Sequence, residues 1–142
     1  MKIIKIIKIK NQIKRLIKAA SFNLPADIAD SIRQAFSDEK NDTARKILEL
    51  ILRNSEIAAK KKIPLCQDCG NVYIDIKIGE NICVEKFASL QEIADEAVAD
   101  AYKENYLRKS IVSDPLFDRA NTNDNTPAYL SIIPAGSLDG LE

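Results

Sequence analysis

The stretch LELILRNSEIAAKKKIPLCQDCGNVYIDIKI, residues 48–78, decides the fold, because its apolar period changes from that of a helix to that of a strand. Up to Ala58, apolar residues recur every three or four positions, as on one face of an α-helix. After Pro64, which ends helical structure, isoleucines alternate with polar side chains, as in a strand with one buried face. The segment CQDCG, residues 66–70, therefore connects a helix to a strand.

Three helices are predicted in the N-terminal half. Residues 1–20 form either a core-packing helix with a solvated basic face or a helix that binds a membrane surface or a partner. We favour the first interpretation, because aromatic anchors are missing. Pro25 suits the first turn of a second helix, and the polar run 37–41 indicates a loop. Asp42 is the predicted N-cap of a third helix, which ends near the lysines at 60–62.

The C-terminal half is predicted to hold strands and one more helix. Residues 79–81 indicate a turn, after which residues 82–87 are expected to pair back as a short second strand. Ser89 and Glu92 form a capping box that opens a helix. The predicted fold class is α/β (α+β): a helical N-terminal half followed by a small mixed or antiparallel sheet and a further helix.

The composition excludes several classes of function. The sequence contains no histidine, which removes Ser-His and Cys-His catalysis and histidine-based zinc sites. Its net charge is zero, so nucleic acid is not an expected partner, and no apolar stretch approaches the length of a membrane span. Three cysteines argue against a disulfide framework and favour a cytoplasmic protein with reduced or metal-bound thiols.

The cysteine segment is the first place where chemistry is expected. The thiolate of Cys66 is a soft ligand for zinc, copper or iron, and Gln67 and Asp68 beside it can orient a substrate or move a proton. The alternative is a buried cysteine in a turn whose aspartate caps the next segment. Cys66, Cys69 and Cys83 also give three thiols, one short of a closed tetrahedral zinc site.

Two further places carry polar side chains that could bind a ligand. The planar guanidinium of Arg108 can bind a carboxylate through two hydrogen bonds, or it can interact with the last carbonyl groups of a helix. The segment NTNDNTPA, residues 121–128, either contacts a polar ligand or is a structural cluster of turns.

Two blocks of the chain resemble the class I fumarase and L(+)-tartrate dehydratase family, specifically its N-terminal domain or alpha subunit. LELILRNSEIAAKKKIPLCQDCG at 48–70 resembles a helix of that family and its P-x-CQDTG motif. AYKENYLRKSIVSDPLFDRANTNDNTPA at 101–128 resembles the family's LRxS, DPL and NTGDNTPA blocks. Residues from about 10 to 133 follow the family's order.

The resemblance implies a hydro-lyase that reversibly hydrates a small dicarboxylate, fumarate to malate or the equivalent pair of tartrate and oxaloacetate. It also implies a 4Fe-4S cluster that acts as a Lewis acid and takes one ligand from this chain. Cys66 matches the first cluster cysteine. Gln67 and Asp68 match residues beside the substrate, with Asp68 the candidate for proton transfer, and Arg108 matches an arginine that binds a substrate carboxylate.

The same resemblance sets the expected partners. They are the dicarboxylate, a beta subunit or C-terminal domain of the same enzyme, and further copies of the complete enzyme in a homo-oligomer. Residues 1–142 are expected to be a single partial domain, truncated at its C-terminal side and inactive alone, because two of the family's cluster cysteines are not matched.

The sequence departs from the family's pattern at two motif positions. Cys69 replaces a threonine, which makes alternative ligation of the metal possible, and Asn123 replaces a glycine, which asparagine can do because it tolerates left-handed backbone. The remaining alternatives are a small thiolate zinc-binding module and an inactive fragment that serves subunit association.

Overall fold

The computed structural model describes residues 2–85, 89–136 and 140. Its helices and strands follow one another as β1 (Lys2–Ile4), α1 (Ile6–Phe22), α2 (Ala26–Asp38), α3 (Asp42–Lys61), β2 (Tyr73–Ile78), β3 (Ile82–Val84), α4 (Leu90–Glu104) and β4 (Tyr129–Pro134). Among these residues, no helix combines the length and the apolar character that crossing a bilayer requires.

The chain forms two compact units. The helical unit comprises residues 18–67, and the sheet unit comprises residues 1–17 together with residues 68–142. The boundary between them falls inside the CQDCG segment. The predicted fold class, a helical N-terminal half followed by strands and a further helix, is confirmed.

Helices α2 and α3 pack against each other in the helical unit. The predicted cap of α3 is wrong by one position, because Asn41 is the N-cap and accepts the N–H groups of Thr43 and Ala44 at 3.0 and 3.1 Å. Asp42 lies instead in the first turn, where its charge is favourable. At the other end, Lys62 takes a left-handed conformation and closes the helix near the predicted lysine run.

The first predicted helix is shorter than expected at its start. Residues 2–4 form strand β1 rather than helix, because they pair in parallel with β3, with Ile4 opposite Val84. This non-local pairing overrides the helical period of the isoleucines. Three isoleucines of the α1 stripe are buried, namely Ile9, Ile13 and Ile17.

The basic face of α1 is directed at acidic groups of α4. The ammonium of Lys10 lies 2.7 Å from the Glu96 carboxylate, and that of Lys14 lies 2.5 Å from the Glu104 carboxylate. The buried isoleucines of α1 confirm that the helix packs in the core, but these two lysines of the face expected to be solvated form ion pairs instead.

The sheet unit contains two parallel strand pairs, β1 with β3 and β2 with β4, so the expected mixed or antiparallel pairing is corrected. A parallel partner must be reached by a crossover, and α4 lies on the connection from β2 to β4. Residues 82–84, which follow the turn at Gly79, pair with β1 instead of pairing back with β2. The predicted continuation of this strand through Phe87 lies outside the described residues.

Helix α4 is the most buried element of the sheet unit. Its capping box is confirmed, since Ser89 Oγ accepts the Glu92 N–H at 3.1 Å and the Glu92 carboxylate accepts the Ser89 N–H at 2.9 Å. The buried face of the helix consists of Ile93, Ala94, Ala97, Val98, Ala101 and Tyr102.

Candidate functional site

The CQD triplet, residues 66–68, lies in the irregular connection between α3 and β2, and all three residues are exposed. In the helical unit, the residue before the triplet is held at both of its backbone groups. The Leu65 N–H donates to the Ser21 carbonyl at 2.9 Å, and the Leu65 carbonyl accepts Asn54 Nδ2 at 2.8 Å. Cys66 is thus an exposed thiol that follows directly on a fixed backbone.

In the sheet unit, the residues after the triplet are held through their carbonyl groups. The Tyr102 hydroxyl donates to the carbonyls of Cys69 and Gly70, at 2.9 and 3.4 Å, and Asn125 Nδ2 donates to Gly70 at 3.0 Å. Tyr102 is only 2% exposed, and burial, together with the nearby Cys69, raises its pKa to about 12. The hydroxyl therefore keeps its proton and remains a donor at neutral pH.

Asn125 joins three sequence motifs through one side chain. The side chain is fully buried, and its Oδ1 accepts the N–H groups of Ser110 and Ile111 at 2.7 and 3.3 Å. Its Nδ2 donates to Gly70 in the CQDCG segment. The DNTPA segment therefore holds both the end of CQDCG and the end of LRKS.

Arg108 is exposed between two fixed neighbours. Leu107 is buried and donates its N–H to the Tyr102 carbonyl at 3.0 Å, and the Ser110 N–H is bound by Asn125. Within the described part of the chain, no carboxylate forms an ion pair with Arg108, and its guanidinium does not bind the last carbonyls of α4. The guanidinium is thus available to a ligand.

The NTNDNTPA loop is braced against the segment that follows Arg108. Asn121 Nδ2 donates to the Lys109 carbonyl at 2.9 Å, and the Thr122 N–H donates to the Ile111 carbonyl at 3.0 Å. Asn123 adopts a φ of 66°, the left-handed backbone expected where the family has glycine. The interpretation of this loop as a structural turn cluster is therefore confirmed for these residues.

Asp124 is held as a carboxylate inside the same loop. Its Oδ1 accepts the Thr126 N–H at 3.0 Å and the Thr126 hydroxyl at 2.8 Å. Burial by itself raises the pKa of Asp124, but these hydrogen bonds and one from Thr122 outweigh it and hold the pKa below its ordinary value. Asp124 therefore serves the turn as an acceptor.

Helix α4 fixes the end of the loop through two polar side chains. Asp95 Oδ1 accepts the Ala128 N–H at 2.7 Å, and Gln91 Nε2 donates to the Ala128 carbonyl at 2.9 Å. Gln91 also donates to Asp95 at 3.0 Å, so the two side chains orient each other. Both backbone groups of the buried Ala128 are satisfied, which sets where β4 begins.

The three cysteines lie in different segments of the chain. Cys69 is half-buried after the triplet, Cys83 is half-buried in β3, and none of the three forms a disulfide. Within residues 2–85, 89–136 and 140, no group of three or more Cys, Asp or Glu side chains could hold a metal ion. The zinc module built from all three thiols therefore receives no support from the described residues.

The predicted site residues divide between the two units. Cys66 and Gln67 end the helical unit, whereas Asp68 and Arg108 belong to the sheet unit, where Asn125 links the segments that follow each of them. Two residues that hold these segments were not predicted as site residues from the sequence. Tyr102 was assigned only to the apolar stripe of a helix, and Asn125 could not be distinguished from the other asparagines of its loop.

Comparison with known proteins agrees with this arrangement of motifs. The family model of fumarate hydratase (Fumerase) matches residues 10–138. The chain is 31% identical over 134 residues to the proposed L(+)-tartrate dehydratase subunit alpha of Methanocaldococcus jannaschii, covering 93% of this chain and 47% of that protein. It is 28% identical over 127 residues to the L(+)-tartrate dehydratase subunit alpha of Escherichia coli O157:H7, covering 86% of this chain and 41% of that subunit.

The match to the family model runs through the CQDCG segment, Arg108 and the NTNDNTPA loop, the same segments that the sheet and helical units hold in place. The chain spans less than half the length of these curated relatives. Since the family model matches most of its residues, the chain belongs to the fumarate hydratase (Fumerase) family.

Proposed function

We propose that this chain forms part of the active site of an iron–sulfur hydro-lyase acting on a small dicarboxylate. The reaction is the reversible addition of water across the carbon–carbon double bond between two carboxylates. The curated relatives are named L(+)-tartrate dehydratase subunit alpha, which favours tartrate and oxaloacetate over malate and fumarate as the substrate pair.

One observation carries this proposal: the exposed guanidinium of Arg108 lies on a backbone that Asn125 links to the CQDCG segment. Arginine binds carboxylates through two parallel hydrogen bonds, and a fixed backbone reduces the entropy lost on binding. An arginine held in this way, near the segment that carries Asp68, suits a substrate with a carboxylate at its end.

The donor atoms of the chain fit one corner of an iron–sulfur cluster. Thiolates are the ligands that such clusters prefer, and Cys66 is an exposed thiol on a fixed backbone. Among the described residues, no group of three or more Cys, Asp or Glu side chains could hold a metal, and in this proposal the other cluster ligands come from the rest of the enzyme. When bound, the cluster supplies a Lewis acid for the substrate hydroxyl.

The chain's own side chains have separate tasks in this proposal. Arg108 holds one substrate carboxylate, and the amide of Gln67 orients the substrate through hydrogen bonds. In the direction of dehydration, the Asp68 carboxylate accepts the proton that leaves carbon, and in the direction of hydration it returns that proton.

The proposed partners follow from the part of the family that the chain covers. A beta subunit, or a C-terminal domain of the same enzyme, supplies the remaining ligands and the second carboxylate-binding group, and the complete enzyme forms a homo-oligomer. We place the enzyme in the cytoplasm, because three thiols without disulfides fit a reducing compartment.

The test replaces Cys66 by serine in the complete enzyme, with Cys83→Ser as the matched control. Both variants lose one sulfur atom, but Cys83 lies in β3 and its thiol contacts the Val84 carbonyl at 3.5 Å. After anaerobic reconstitution, we expect Cys66→Ser to lose the visible absorbance of the cluster, its iron content and the dehydration of tartrate or malate. Cys83→Ser should retain all three.

The two outcomes that contradict the proposal are separate. Full absorbance and activity in Cys66→Ser would show that this thiol is not a ligand. A wild-type enzyme that binds stoichiometric zinc and no iron would instead favour the zinc-binding alternative.

A further inference from the structure

Asn125 occupies a place in the fold that only an asparagine side chain fills well. Its φ is 67°, a left-handed conformation that asparagine tolerates better than most residues, and its side chain is fully buried. It uses one acceptor and one donor at once: Oδ1 accepts from the backbone, and Nδ2 donates to the backbone. Aspartate lacks the donor, leucine lacks both groups, and glutamine is one methylene too long.

The partners of this side chain are far apart in the sequence. Gly70 is 55 residues away from Asn125, and Ser110 is 15 residues away. Two N–H groups, those of Ser110 and Ile111, point at Oδ1, which fixes the orientation of the amide and leaves Nδ2 directed at Gly70. One rigid planar group therefore sets the spacing between two backbone segments.

These two segments carry the side chains that act on the substrate in the proposed function. Asp68 precedes Gly70 by two residues, and Arg108 precedes Ser110 by two residues. A shift of either segment therefore changes the distance between the Asp68 carboxylate and the Arg108 guanidinium. Displacements of about 1 Å in an active site can lower a rate about 100-fold, so a change in the spacing of these two segments should lower kcat.

We propose that Asn125 is a positioning residue that sets the distance between the proton-transferring Asp68 and the carboxylate-binding Arg108. The proposal rests on the proposed function for the roles of those two side chains. It does not need Asn125 to touch the substrate, because the amide is fully buried and acts through the backbone at Gly70 and at Ser110.

The test is Asn125→Asp in the complete enzyme, with Asn123→Asp as the matched control. Both replace an amide by a carboxyl in the same loop at left-handed backbone, but Asn123 is exposed and its Nδ2 donates only within the loop, to the Asn121 carbonyl. In Asn125→Asp, the carboxylate still accepts from Ser110 and Ile111, while the donor to Gly70 is lost. The substitution therefore removes the amide's hydrogen bond to Gly70, where the Tyr102 hydroxyl still donates, and keeps both bonds to residues 110 and 111.

Two readouts are compared, the kinetic constants and the hydrogen exchange of backbone amides. At neutral pH, we expect exchange in residues 68–72 to rise, exchange at residues 110–111 to stay slow, and kcat to fall about 100-fold with unchanged iron content. Burial raises the pKa of a carboxyl group, and the introduced carboxyl group, once protonated, can donate to the Gly70 carbonyl again. Relative to the wild type at the same pH, slow exchange and kcat should therefore recover together as the pH is lowered.

Asn125→Leu, which has no proton to regain, should show no recovery, and Asn123→Asp should match the wild type throughout. The proposal is overturned if exchange in residues 68–72 rises without loss of kcat, or if kcat falls only as far as the folded fraction does. If the wild-type enzyme dehydrates no dicarboxylate, the proposed function fails. The exchange data then decide alone, and unchanged exchange at residues 68–72 in Asn125→Asp overturns the positioning role.

Discussion

Replacement of Asp95 by alanine should destabilise the sheet unit far more than its position on a helix suggests. Asp95 Oδ1 accepts the N–H of Ala128, which is 5% exposed, at 2.7 Å, and it also accepts from Gln91 at 3.0 Å. A hydrogen bond to a charged acceptor contributes about 1.5–3 kcal/mol, and a second one about 1 kcal/mol. We therefore expect Asp95→Ala to lower the free energy of unfolding by about 2.5–4 kcal/mol.

Two further variants make this expectation specific. Asp95→Asn keeps an oxygen that can accept from Ala128 and should lose only about 1 kcal/mol. Asp100→Ala removes a carboxylate from the same helix, but Asp100 makes only long ion pairs of 3.9 and 4.0 Å with Lys10 and Lys14. Exposed pairs of this kind contribute little, so this control should lose less than about 0.5 kcal/mol.

Urea unfolding followed by tyrosine fluorescence measures these differences in the right part of the molecule. The chain has no tryptophan, and its four tyrosines, Tyr73, Tyr102, Tyr106 and Tyr129, all belong to the sheet unit. The signal therefore reports on this unit and not on the helical one. A loss in Asp95→Ala no larger than that in Asp100→Ala would refute the assigned role of the Ala128 contact.

Two other predictions follow from residues described above. Because the pKa of Tyr102 is raised from 10.0 to about 12 in the folded chain, the stability that its neutral hydroxyl contributes should be complete below pH 10 and should be lost as the pH rises toward 12. In Tyr102→Phe this part of the pH dependence should be absent, as measured by urea unfolding at several alkaline pH values against the wild type. Ser89→Ala removes the acceptor for the Glu92 N–H and should lower the free energy of unfolding by about 1 kcal/mol. Ser89→Asp can still cap α4 and should retain most of that stability. Thermal unfolding followed by circular dichroism compares both variants with the wild type.

The elements that the sequence predicts well are those formed by neighbours along the chain. The capping box at Ser89, the end of α3 near the lysines at 60–62 and the alternation in β2 all depend on residues within a few positions. The N-cap of α3 was predicted one position too late, because Asn41 and Asp42 are both good capping residues and only the backbone geometry separates them.

The pairing of the strands was not predictable in the same way. Strand β1 has the same helical period as the residues after it, and only its pairing with β3 makes it a strand. Lys2 pairs with Ile82, which is 80 residues away in the sequence. The exposed side chains of the candidate site were named from motifs, but Asn125 and Tyr102 take their roles from distant partners. Such roles are properties of the folded chain.

The parallel pairing of β2 with β4 also has a consequence for synthesis on the ribosome. Tyr73 pairs with Tyr129 and Ile78 with Pro134, so all of β2 is translated before the first residue of its partner strand. Proteins emerge from the N-terminal end, and an unpaired strand with exposed isoleucines can associate with other nascent chains. Asp75 and Lys77, which interrupt the apolar residues of β2, provide opposite charges that oppose such association during this interval.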